Sequence, residues 1–129
     1  MKLHYKIGIL LLFTTATLIG FLIKIPMPLR GHDKLLHTAF YFVAALFLNL
    51  LFKNCFIPIF IALVLFGITI EYVQPIMNKF THTKVHGRFD IEDIKANVKG
   101  LMLYSIAHCI GYIIFIVLGN VGKQSRTKI

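Results

Sequence analysis

Three short stretches of this sequence place acids, amides and a histidine at helical spacing. In HDKLLHTAFYF, Asp33, His37 and Tyr41 recur every four residues, with Lys34 beside them. That interval lines one face of a helix. In FGITIEYVQP, Gly67, Glu71 and Gln74 share a face, and Glu71 is the first charge after an uncharged run from Cys55 to Ile70. In GRFDIEDIKANVKG, Asp90, Asp93, Asn97 and Gly100 form a third stripe, with Arg88 just ahead of it. Glu71 and Asp93 have the chemistry of general bases and His37 that of a proton carrier, so these three form the candidate catalytic set. Asp33, Lys34, Tyr41, Gln74, Arg88, Asp90 and Asn97 are candidate substrate-binding residues, with Lys34 and Arg88 suited to an anionic headgroup or phosphate. The paired acids equally suit a divalent cation, which favours hard oxygen ligands. His82 and His86 have the i, i+4 interval of a metal pair but no helical apolar pattern around them. No metal site is assigned, and no motif names a cofactor. G-x-S-x-G, the histidine–glutamate zinc helix and the P-loop are all missing from the sequence.

Each residue also has a plainer reading. Asp90 followed by Asp93 resembles a capping box. Lys34 fits a side chain reaching toward headgroups, and His37 and Tyr41 fit an interfacial belt. His108 reads as a hydrogen-bonded packing histidine ahead of a proton relay. Gly67 would allow a neighbouring backbone to approach beneath Glu71. Ionisable groups inside a bilayer cost at least about 2.5 kcal/mol each at mid-depth, so they normally face the bundle interior and pair. Three stripes at similar depth therefore predict one shared cluster.

The elements that must carry these residues follow from composition. The chain has 129 residues, 57% of them hydrophobic and 15% charged, with mean hydropathy +0.78. That balance suits membrane spans rather than a soluble core with a polar shell. Uninterrupted apolar stretches place helices at about 7–23, 35–52, 56–73 and 100–121, each near the roughly 20 residues needed to cross a bilayer. The expected fold is an all-α membrane protein, a four-transmembrane-helix bundle forming a single domain. A polar interfacial segment, 76–99, connects helices 3 and 4, re-entering the membrane or lying along the interface. Helices are required because backbone polar groups in lipid must pair internally. Pro58 fits a first helical turn, and Pro75 marks the end of helix 3. The first span reads as an uncleaved helix, since Lys24-Ile25-Pro26-Met27-Pro28 follows it without a small-x-small cleavage pattern. Cys55 and Cys109 fall at different depths, too far apart for a disulfide.

With four spans the termini share one side with the Lys53-Asn54 turn. All five acids fall on the other side: Asp33, Glu71, Asp90, Glu92 and Asp93. The net charge of +9 then reflects lysines and arginines flanking helices and meeting anionic headgroups, so membrane lipid is the expected partner and nucleic acid is not. Setting Lys34 and Arg88 aside, the basic residues divide evenly between the sides. Lys2 and Lys6 before the first helix, with the basic tail, place both termini in the cytoplasm and the acid-bearing end at the outer face.

The pattern Asp33-Lys34-x-x-His37-x-x-x-Tyr41, then Glu71-x-x-Gln74, then Gly87-Arg88 and Asp93-x-x-x-Asn97-x-x-Gly100 resembles the VanZ-like family. These are small bacterial membrane proteins of about four helices, named for a member associated with resistance to the glycopeptide teicoplanin. The resemblance runs from the first helix to the last. It departs in having one residue fewer between Arg88 and Asp93, and in Tyr104 where a second small residue often follows Gly100; Tyr104 would loosen the fourth helix or add a hydroxyl to the pocket. The resemblance implies a multi-pass protein of the cell (inner) membrane whose polar site binds or acts on a lipid-linked or anionic envelope component, or a glycopeptide. The alternative is a non-catalytic membrane scaffold or binding module whose polar cluster is structural.

Overall fold

In the computed structural model, which describes residues 1–22, 31–53, 55–80 and 89–126, the chain is an all-α bundle. Helix α1 spans Leu3–Leu22, α2 Asp33–Leu51, α3 Phe56–Phe80 and α4 Ile91–Arg126. All four are long and apolar enough to cross a membrane, so the chain is a multi-pass membrane protein in architecture.

The helix ends differ from the sequence expectation where polar residues sit within helices. Helix α3 continues through Pro75 to Phe80. Proline offers no N–H to the carbonyl four residues earlier, here that of Glu71, yet neighbouring groups in a bundle can compensate, so the helix is not obliged to stop. Helix α4 begins at Ile91 rather than near residue 100. The supposed 76–99 interfacial segment is therefore mostly helix: its first five residues finish α3, and 91–99 are the opening turns of α4. Residues 81–88 lie outside the described residues. Apolar run length failed here because Asp93, Lys95, Asn97 and Lys99 interrupt the hydropathy of α4 without interrupting its backbone.

Asp90 is why α4 starts where it does. Its Oδ1 accepts the Glu92 N–H at 2.8 Å, and its carbonyl accepts the Asp93 N–H at 3.2 Å, satisfying donors that a helix N-terminus leaves open. In a capping box the acid three residues on would return a bond to the Asp90 N–H. Glu71 of α3 supplies that bond instead, its Oε2 accepting the Asp90 N–H at 3.2 Å. The carboxylate that interrupts the apolar run of α3 thereby fastens α3 to the start of α4.

The closest pair is α2 and α4. Their buried stripes are His37, Tyr41, Ala44, Ala45 and Leu48 on α2 and Asp93, Ala96, Asn97, Gly100, Leu101 and Tyr104 on α4. Small residues bring the backbones together: a Cβ on Gly100 would fall inside van der Waals contact of the Thr38 carbonyl oxygen. Thr38 Oγ1 reaches the Lys34 carbonyl at 2.9 Å and crosses to the Ala96 carbonyl at 3.1 Å. Below this crossing the core is apolar, built around Tyr41, Leu48, Ile59, Leu63, Leu101 and Tyr104. Helix α1 packs loosely, with Thr17 its one buried residue among those described. Residues 106–119 of α4 are exposed on every side. Their apolar side chains suit contact with lipid tails, while Asn49, Thr69 and Ser105 satisfy their side chains on carbonyls four residues back.

Candidate functional site

The N-terminal turns of α2 and α4 and the last third of α3 meet at one end of the bundle. Helix α2 brings Asp33, Lys34, His37 and Tyr41; α3 brings Glu71 and Gln74; α4 and its cap bring Asp90, Asp93 and Asn97. Lys34 Nζ bridges two acids at the start of α4, Oδ2 of the cap residue Asp90 at 2.5 Å and Asp93 Oδ1. This hydrogen-bonded ammonium, with the Glu92 N–H, holds the Asp90 carboxyl below the usual carboxylate range.

His37 lies deeper, between α2 and α4, and is buried. Its Nδ1 is 2.8 Å from Asn97 Oδ1. An amide oxygen only accepts, so Nδ1 carries the proton and donates. The other nitrogen, Nε2, faces Asp33 Oδ1 at 3.6 Å. Asp33, His37 and Asp93 each present one ligand-type atom, and the three atoms lie within 4.8 Å of one another.

Glu71 is one of the most deeply buried side chains, 1% exposed. One oxygen accepts the Asp90 N–H, whereas Oε1 is buried without a hydrogen-bond partner among the described residues. Its carboxyl group lies within electrostatic reach of Asp93, His37 and Asp90. A buried acceptor left open in this way costs about 1–3 kcal/mol unless something completes it. Tyr41 is fully buried beneath the cluster, and Gln74 is buried on the Glu71 face one turn further on.

Nine of the ten sequence-derived site residues thus gather at this end, and Arg88 lies outside the described residues, as do His82 and His86. Lys34 is committed to Asp90 and Asp93 rather than standing free for an anion. Around it the site offers Asp33, Glu71, Asp90 and Asp93, so its immediate charge is negative and suits cations, ammonium groups and hydroxyl donors. Tyr104 does not add a hydroxyl here: its Oη is 3.3 Å from His108 Nδ1, and the His108 ring stacks on Phe56 at 5.0 Å. His108 is exposed and lies away from the cluster, meeting Tyr104 and Phe56. Sequence reasoning missed Thr38, one position from the site face, and the bond from the Asp90 N–H to Glu71. It also left Asp33, His37 and Asp93 ungrouped as a ligand set.

Gly67 serves the site differently from the expected backbone approach. A Cβ there would lie 2.8 Å from both Asn97 Nδ2 and Tyr41 Oη, so the missing side chain makes room for the Tyr41 hydroxyl and for Asn97, which orients His37. Gly67→Ala should displace Asn97 and cost about 1–2 kcal/mol, against a helix-propensity gain of up to about 1 kcal/mol. Thermal unfolding in detergent should show a lower midpoint than wild type. Gly111→Ala, with nothing within 4 Å of its added Cβ, should show no loss.

Comparison with protein-family models, curated proteins and solved structures finds no match to this chain.

Proposed function

We propose that this chain is a VanZ-like multi-pass protein of the bacterial cell membrane whose polar site binds the headgroup of a lipid-linked envelope component. The observation that carries the reading is the convergence of carboxylates, an imidazole and an amide from three helices at one end of an otherwise apolar bundle. Lipid tails would lie against the exposed apolar faces, while the headgroup meets acceptors at Asp33, Asp93 and Glu71. A glycopeptide, rich in hydroxyl and amine donors, is a second ligand of the same chemistry. Glu71, His37 and Asp93 are the residues for any proton transfer.

The test is lipid and cell-wall precursor profiling of a deletion strain beside one carrying Glu71→Gln. Matching changes in the two strains, with the variant present at wild-type level in the membrane, support the reading. An unchanged profile in both strains would overturn it.

A specific feature favours a second reading, a purely structural cluster: Glu71 Oε2 fastens α4 through the Asp90 N–H, and Lys34 ties α2 to α4. That reading predicts that substitutions reduce the protein itself in proportion to any phenotype.

The same reading places the termini in the cytoplasm and the site at the outer face. In a variant with Cys55 and Cys109 replaced, a cysteine at Thr83 should react with a membrane-impermeant thiol reagent in intact cells or spheroplasts. Labelling of a C-terminal cysteine, with the Thr83 position protected, would invert the orientation.

A further inference from the structure

We infer that Asp33, His37 and Asp93 bind a divalent transition-metal ion of the Zn²⁺ or Mn²⁺ type, with Glu71 placed to accept a hydrogen bond from a water on that ion. The inference rests on the polar site proposed above and names how that site would hold a phosphate-bearing headgroup. Four observations carry it. The three ligand atoms, from the first turns of α2 and α4, lie within 4.8 Å of one another, a spacing at which one ion can bridge them with small side-chain adjustments. His37 is oriented as metal-bound histidines are: Nδ1–H donates to Asn97 Oδ1 at 2.8 Å, which leaves the Nε2 lone pair facing Asp33. Lys34 pairs with Asp93 Oδ1, which ties this carboxylate down while a carboxylate has a second oxygen able to meet an ion. Independently of the trio, Glu71 Oε1 is buried without a hydrogen-bond partner among the described residues, its carboxyl group within electrostatic reach of Asp93 and His37, and water bound to an ion would supply a donor.

The donor set selects the class of ion. Two carboxylates and one imidazole suit Zn²⁺ or Mn²⁺, whereas Ca²⁺ and Mg²⁺ prefer all-oxygen shells. Three protein ligands leave positions open to solvent or to a ligand, as in sites where the ion meets a substrate. An anionic headgroup would then be held through the ion, and the commitment of Lys34 to Asp90 and Asp93 ceases to be an obstacle.

The test uses the full chain purified in detergent, stripped with chelator and titrated with Mn²⁺ alone, bound ion being read from loss of the free Mn²⁺ resonance signal. One ion per chain is expected, displaced by Zn²⁺ at far lower concentration than by Ca²⁺. Asp33→Asn and His37→Gln should each weaken binding at least tenfold. Asp33 is half-exposed, so its variant keeps the fold available for measurement. Glu92→Gln, whose carboxylate pairs with Lys95 on the surface, should bind as wild type does. Electron spin-echo spectra of bound Mn²⁺ should show an imidazole nitrogen coupling that His37→Gln removes. Absence of binding by wild type, or equal binding by all variants, would overturn the inference. No ion binding, together with a precursor profile still altered by Glu71→Gln, removes the metal and leaves the proposed function standing.

Discussion

Replacing Gly100 with leucine is expected to lower the stability of the bundle by about 3 kcal/mol or more, the largest effect of any single change away from the polar site. The reason is local. At Gly100 the added Cβ would overlap the backbone carbonyl of Thr38, with the Thr38 carbonyl carbon and Tyr41 Cβ close behind, each at 3.1 Å. A backbone cannot swing aside as the tip of a flexible side chain can. The α2–α4 pair must therefore separate, which weakens the Thr38–Ala96 bond, the His37–Asn97 bond and the two Lys34 bridges together. The expected readouts are reduced accumulation in the membrane and a lower unfolding midpoint in detergent. Gly111→Leu on the same helix, with open space at its Cβ, should change neither by much. Equal behaviour of the two variants would mean that α2 and α4 are not in contact as described.

Glu71 should separate two roles in one residue. Glu71→Ala removes the acceptor of the Asp90 N–H and opens a void in a buried site, at a cost of about 2–4 kcal/mol, so the protein should become scarce. Glu71→Gln keeps an amide oxygen that can accept the same N–H and should accumulate nearly as wild type does. On the proposed function both variants lose activity: the alanine variant through loss of the protein, the glutamine variant through loss of the charge. Quantifying each variant in membranes beside the precursor profile separates the roles. A glutamine variant present at wild-type level with a wild-type profile would show that the charge itself has no function.

The bundle was legible in the sequence because its signal is physical and strong: uncharged runs of span length fix the number and class of helices. Helix ends were less legible. Apolar run length shortened α3 at Pro75 and α4 at Gly100, because the residues that bend a hydropathy profile near an interface, Asp93, Asn97 and Lys99, have no quarrel with helical backbone. The site was visible as three stripes of helical period, since Asp33, His37, Glu71, Asp93 and Asn97 are unusual residues for such surroundings and must face inward. The partners within the cluster were not visible. Helical period gives the face a residue occupies but not the relative heights of two helices. Those heights, set by Gly100 against Thr38, decide that Lys34 meets Asp90 and Asp93 and that His37 meets Asn97. The Asp90 N–H reaching Glu71 is a backbone contact, and no side-chain pattern announces it.

On the proposed function, this cluster binds the polar head of an envelope lipid. The most direct test is native mass spectrometry of the protein extracted gently from its own membranes, wild type beside Glu71→Gln and Asp93→Asn. Wild type is expected to retain a lipid-linked species in about one copy per chain and both variants to lose it, while bulk phospholipids remain equally attached to all three. Identical retained species in the three proteins, or bulk phospholipid alone on wild type, would contradict it.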